Sequence, residues 1–543
     1  MPLSWRVPWA ARRDRDAGPG PARPGPHPVT ITITAEPTEA TQPTQPTGPS
    51  GPTGLVIPDD FTGLSFERGP LNPGNAGVAG YLFSPANDSL VTLFRNLGLR
   101  NLRIGGGSVE ESIPAGTGRD GFTGIDKLFA FADAAQVKVI YSLRLLSPGA
   151  SPIADLDKIG AGVARYIWSR YREHVASFCI GNEPDWHAFH TYAGHPLDPA
   201  IYEENSGVPG SAYPSYWAGW QRFARAVGEA APGAPLIGPD TGAYSPLTYT
   251  PDPGTGMSWT ERFATDERGS GRVTDITQHY YVGGSPNRTT ARQAIRNMLS
   301  PEWVTGTAIG SQPAGTTYTP YPWLYTNNLA PVLAAGLRYR LTESNDYLTG
   351  VPGASNAFAS ALWALDYLHW WAAHGAVGVN FHNKQWLYTD TIVPDPGGAA
   401  RRFATTPKGY GIKAFALGSA GRVRPVTVRN PDGMNLTAYC VGGADEASVT
   451  IINKTHGPGA ADAAVTIIPP GGGWQRAQVM TLDSGEPGDP GAATATLGGA
   501  AITGDATWDG EWRAVPIPTG PEAGISLTVP AISAAVVRIR REH

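Results

Sequence analysis

Between residues 55 and 420, short apolar segments alternate eight times with stretches whose apolar residues recur at helical spacing. Few folds accept that pattern. A strand buried on both faces reads as a continuous apolar run, and an intervening helix returns the chain so that the next strand lies parallel to the last. The strands fall at 63–67, 101–104, 137–143, 176–180, 235–238, 275–281, 338–342 and 376–382. Helical stretches lie at 88–97, 125–135, 153–173, 213–231, near Trp259, and at 329–335, 356–374 and 410–417. Eight such units predict a (β/α)8 TIM barrel.

Past Gly421 the helical spacing stops. Short alternating strands separated by Gly/Pro turns, among them VTVRN, SVTIIN and AAVVRIR, predict a β-sandwich over 421–543. Near the start, VTITITA alternates β-branched residues with period two and predicts a strand over 29–36. An isolated strand needs a sheet, and the expected host is the C-terminal sandwich. The Thr/Pro/Gln/Gly stretch over 37–54 reads as a linker, and 1–28, rich in Pro, Arg and Gly, as a disordered N-terminus.

Composition narrows the function classes. A formal net charge of −5 with scattered Lys and Arg leaves no basic field for nucleic acid. No apolar run reaches the roughly 18 residues of a membrane span. The first residues have Arg12, Arg13 and Arg15 where a signal peptide would have its apolar core, so the sequence reads as cytoplasmic unless the start or the export route differs. Cys179 and Cys440, far apart, are expected as two free buried thiols. Nothing in the sequence fixes an oligomeric state.

Barrel chemistry gathers at the C-terminal ends of the strands, where the βα loops form one face. Those ends carry Glu67, Arg103, Asn182, Glu183, His279, Tyr281, Glu343 and His382. Helix caps and surface ion pairs would explain one or two polar strand tips, but not their recurrence on so many strands. Glu183 follows the fourth strand and Glu343 the seventh, on opposite sides of the mouth. Cleavage of a glycosidic bond with retention of configuration needs two carboxyl groups about 5–5.5 Å apart, one attacking and the other protonating the leaving oxygen. Glu183 and Glu343 are the expected pair. For Glu67 the choice lies between binding ring hydroxyls and an ion pair with Arg103 or Arg68. Arg103 is expected to hold a glutamate's charge, His382 to bind a sugar substituent, and Trp186 and Trp386 to offer stacking faces. His279 and Tyr280 could equally be packing at a strand end.

The segments ASFCIGNEPDW, GLSFE, LRIGGGS, QHYY, RLTESNDY and SALWALDYLHWWAAHGAVGVNFH resemble those of glycoside hydrolase family 79, the clan A group of β-glucuronidases and heparanases. The resemblance runs from Val29 to Arg540. It implies Glu183 as acid/base, Glu343 as nucleophile, Asn182 as a donor to the sugar 2-hydroxyl, and Tyr281 as the tyrosine that hydrogen-bonds the nucleophile. It also implies a glycoside or oligosaccharide substrate, most directly a β-glucuronide. One departure bears on the sugar. Family members grip the uronate with a tyrosine followed directly by glycines, whereas here Tyr347 is followed by Leu348, Thr349 and only then Gly350. Another β-linked sugar therefore stays open.

Other chemistries fit less well. A metal centre from His187 and His190 lacks a third ligand, and His279 with His382 is accounted for by sugar binding. No phosphate loop with its lysine is present, and no strand-end lysine suits a Schiff base. No cofactor and no metal are expected. A carbohydrate-binding protein on a degenerate barrel is the rival from another class, and the presence of both glutamates argues against it.

Overall fold

The computed structural model describes the chain except residues 1–24, 35–54, 77–78, 112–120, 147–152, 154, 188–212, 243–254, 284–288, 302–320, 396–401, 518–523 and 542–543. The linker at 37–54, most of the N-terminal stretch and His190 thus lie outside the described residues.

Eight parallel strands close into a barrel: β2 (Thr62–Glu67), β3 (Asn101–Gly105), β4 (Lys138–Leu143), β5 (Val175–Ile180), β6 (Leu236–Thr241), β7 (Val273–Gly283), β8 (Tyr339–Tyr347) and β9 (Ala376–Asn383). The ring closes where β2 pairs with β9, Thr62 facing Val379. Helices cover the outside. In Asp88–Leu97 the residues Leu90, Leu93, Phe94 and Leu97 are buried at the expected helical spacing, and Gly98 ends the helix in the left-handed region at φ 76°.

Several strands run further than the sequence pattern suggests, two of them by three residues or more at the C-terminal end. β6 continues past Gly238 to Thr241, and β8 past Thr342 to Tyr347. Polar residues at these tips stay in the ladder because neighbouring strands pair with them; His279 faces Glu343, and Gly283 faces Tyr347. Asp240, His279, Tyr281 and Glu343 are therefore set in sheet, whereas Asn182 and Glu183 lie just past β5.

The C-terminal region is a sandwich of a four-stranded and a seven-stranded sheet. The N-terminal strand β1 (His27–Ile33) enters the smaller sheet, parallel to Ala463–Ile468 and antiparallel to Val426–Arg429. Its alternation puts Val29, Ile31 and Ile33 into the sandwich core. Helix Phe358–Ala373 is apolar nearly all round because it is buried nearly all round, with the barrel on one side and the sandwich on the other. Cys179 and Cys440 are buried and form no disulfide. No helix among the described residues is long and apolar enough to cross a membrane.

Candidate active site

The site is organised by one guanidinium. Arg103 is buried inside the barrel. Its Nη1 donates to Ser65 Oγ and to Glu343 Oε2, both at 2.9 Å. Its Nη2 donates to Asn182 Oδ1 at 2.8 Å and Asp240 Oδ2 at 2.7 Å. A single rigid fork thereby ties β2, β8, the end of β5 and β6 together. The glycines after β3 make room for it: a Cβ on Gly105 would lie 2.3 Å from Arg103 Cζ, and one on Gly106 would lie 2.5 Å from Glu67 Oε2.

Glu343 is almost wholly buried and accepts from Tyr281 Oη at 2.9 Å. Burial alone would raise its pKa, but the charges of His382, His279 and Arg103 outweigh burial and bring it down to about 2. Glu183 is the more open carboxylate, its side chain 22% exposed, and its Oε1 lies 2.9 Å from His279 Nδ1. Its backbone is left-handed at φ 46°, a conformation that costs an ordinary residue about 1–3 kcal/mol and is here held by the Glu183 N–H donating to Asp240 O at 2.9 Å. One oxygen of Glu183, one of Glu343 and a ring nitrogen of His279 all lie within 4.8 Å of one another.

His279 sits between these groups. Burial would strip its proton, yet Glu343, Asp240 and Glu183 raise its pKa to about 10. It is therefore an imidazolium at neutral pH, set among the carboxylates, whereas Tyr280 stacks against Tyr367. His382 is displaced upward as well: burial disfavours its charge, but Glu343 and Glu67 restore it. Its Nδ1 lies 3.2 Å from Ser65 Oγ and its Nε2 3.6 Å from Glu67 Oε1. Glu67 also accepts from the Ser108 N–H at 2.9 Å and lies 3.6 Å from Lys384 Nζ. The ion pair weighed for Glu67 thus forms with His382 and Lys384, not with Arg103 or Arg68.

Three donors within 4.8 Å would also suit a cation. To take one, His279 would have to give up its proton, and Arg103 already sets a positive charge 2.9 Å from Glu343, so the charges already in place oppose it.

Not every expected residue reaches this cluster. Tyr347 is fully buried, its hydroxyl accepting from Asn297 at 2.8 Å. Gly350, at φ 77°, packs so tightly on the backbone of Tyr388 and Thr389 that a Cβ would lie 2.3 Å from Thr389 N. Both are packed into the scaffold, and the Gly350 N–H is taken up by Tyr347 O at 3.0 Å. Trp386 joins a different cluster, its Nε1 donating to Ala76 O at 3.1 Å and its ring tilted 5.8 Å from Phe403. Its loop is wrapped around Asp390, which accepts from the N–H groups of Lys384, Trp386 and Leu387. The side chain of Trp186 is outside what is described.

Two residues were missed. Asp240 binds Arg103, and burial, which would neutralise it, is overcome by Arg103, His279 and Thr342. The signal was there, an acid directly after an apolar strand, but the strand was read two residues short of it. Glu110 is fully buried, accepts from Leu145 and Leu146 N–H, and is pushed by burial up to about 7. It stands in a short helix beyond the glycines, and no spacing marked it.

No family model matches the chain, and no curated protein does. Solved structures do. The chain is similar to a 4-O-α-L-rhamnosyl-β-D-glucuronidase from Fusarium oxysporum 12S, at 15% identity over 94% of this chain and 99% of that one, TM-score 0.62. It is similar to CelM2, a bifunctional glucanase-xylanase from a metagenome library, at 16% identity over 96% and 100%, TM-score 0.60. It is also similar to a family 51 arabinofuranosidase from Xanthomonas axonopodis pv. citri, at 14% identity over 95% and 100%, TM-score 0.60. At such identities the likeness is one of fold, a barrel with its accompanying β-sandwich.

Proposed function

We propose that this chain is a retaining glycoside hydrolase acting on a terminal β-linked sugar, with a β-glucuronide as the leading substrate. The observation that carries the reading is the pair Glu183 and Glu343, with oxygens within 4.8 Å at the mouth of the barrel. Retention uses carboxyl groups about 5–5.5 Å apart, whereas inversion needs about 6.5–9.5 Å to admit a water. Glu343, ionised and aimed by Tyr281 and Arg103, attacks the anomeric carbon while Glu183 protonates the departing oxygen. Glu183 then takes a proton from water, which releases the sugar from Glu343. Asn182 gives its Oδ1 to Arg103, which fixes the amide and leaves Nδ2 to donate to the sugar 2-hydroxyl. His279 lies between the two carboxylates, its Nδ1 2.9 Å from Glu183 Oε1, and Glu67 with His382 offers partners to ring hydroxyls.

The glucuronide preference rests on the family resemblance and on the name of the Fusarium enzyme. The packed positions of Tyr347 and Gly350 favour keeping neutral sugars in view. Aryl β-glucuronide, β-glucoside, β-xyloside and β-galactoside, assayed side by side, separate these readings. On the best of them Glu343→Ala and Glu183→Ala should each lose turnover, the latter by about 10²–10⁴-fold. An aryl leaving group that needs no proton should restore the first step in Glu183→Ala but not in Glu343→Ala. Near-wild-type rates in both variants would remove the mechanism.

A further inference from the structure

Beside the catalytic cluster, on the helix-covered side of β4, lies a small cavity that the proposed mechanism does not use. Its volume is about 10 Å³, and Arg68, Tyr141, Ser142, Arg144, Leu156 and Val163 line it. Space of that size holds one water-sized species and no carboxylate or phosphate. The hydroxyls of Tyr141 and Ser142 are buried without hydrogen-bond partners. Arg68 is buried, 6% exposed, and its guanidinium has no acidic partner among the described residues. The charge of Arg68 is felt at the Tyr141 hydroxyl, opposing the effect of burial there. Arg144, also 6% exposed, donates through Nε to Leu146 O, and its charge acts on the buried acid Glu110, which leaves Arg68 as the cation for an anion to compensate.

A buried guanidinium without a counter-charge is costly, as is a buried hydroxyl without a partner. A water could satisfy the hydroxyls but would leave the charge of Arg68 uncompensated. A monatomic anion meets both needs at once, since it accepts from every donor in the wall and cancels a charge. We infer that this cavity is a halide site, occupied by chloride, between Arg68 and Tyr141. Arg68 directly follows Glu67 at the end of β2, so the bound ion would brace the strand that carries Glu67 into the active site.

The full chain crystallised from bromide in place of chloride provides the direct test. An anomalous peak within hydrogen-bonding distance of Arg68 and the Tyr141 hydroxyl is expected; density of a water without anomalous signal overturns the assignment. In solution, replacing gluconate by chloride at constant ionic strength should raise Tm along a saturating curve, by on the order of 2 °C. Arg68→Gln should flatten that curve and Tyr141→Phe weaken it. An equal chloride response in wild type and both variants is an ordinary salt effect and refutes the site. If Arg68→Gln fails to fold, Tyr141→Phe and the bromide crystal still decide.

Discussion

Two buried ionic networks lie at opposite sides of helix Phe358–Ala373 and differ in what they leave over. At the junction with the sandwich, Asp366 accepts from Thr437 at 2.8 Å, Tyr439 at 2.7 Å and Lys454 at 2.6 Å. One anion meets one cation, and the neighbouring His369, stacked on Tyr439, is driven by burial to a pKa of about 3 and stays neutral. At the barrel mouth, Arg103 faces Asp240 and Glu343 together, with Glu183 close by, and even with His279 protonated the carboxylates outnumber these two cations. The backbone there is left-handed at both Glu183 and Asp240. A network in which every charge is matched holds two parts of a molecule together. One with carboxylates in excess, an opening to solvent and strained backbone is poised to exchange charge with something that enters.

Breaking each network at its centre tests that contrast. Arg103→Gln should have the largest effect. It leaves Asp240 and Glu343 buried without their cation, a loss of about 3–5 kcal/mol in stability measured by urea unfolding, and turnover falls with it. Asp366→Asn should destabilise by about 3 kcal/mol, because Lys454 loses its counter-charge while Thr437 and Tyr439 keep an acceptor. Turnover per folded molecule should not change. Equal loss of turnover in the two variants, assayed where both remain folded, would show that the junction is coupled to the chemistry and undo the distinction.

The same contrast explains what could be read without coordinates. The barrel was legible because strands buried on both faces leave continuous apolar runs, and Glu183 and Glu343 stood out as acids ending such runs. The host of β1 was legible because VTITITA has one face to bury and no neighbour of its own. The partners of the acids were not. That Arg103 reaches Ser65, Asn182, Asp240 and Glu343 depends on the closure of the barrel, which brings residues up to 240 positions apart within one hydrogen bond. The surroundings of Tyr347 and Gly350 were hidden for a related reason. The family resemblance pointed to them, while the fold packs Tyr347 against Asn297 and Gly350 against the backbone of Tyr388 and Thr389. The protonation of His279 likewise follows from three carboxylates that only the fold assembles.

The smallest expected effect is also the most specific to the open network. Burial would raise the pKa of Glu343, yet neighbouring charges bring it from 4.5 to about 2, with His382 the foremost of them. A depressed carboxylate contributes stability that is present above its unfolded value of 4.5 and is lost as pH falls toward 2. His382 has the opposite sign. Its raised pKa contributes stability that is fully present below 6.5 and disappears as pH rises through the folded value. The acidic limb of kcat/KM, which reports the base in the free enzyme, should therefore lie near 2 rather than 4.5 on the best aryl β-glycoside. His382→Gln removes one charge beside Glu343 and should move that limb upward by about one pH unit, equivalent to about 1.4 kcal/mol. Above about pH 5 both enzymes hold Glu343 ionised, so the part of the difference due to pH should vanish there. A limb that stays in place would mean that Arg103 and His279 alone keep the nucleophile charged, and the open network would then be a pair of cations rather than three.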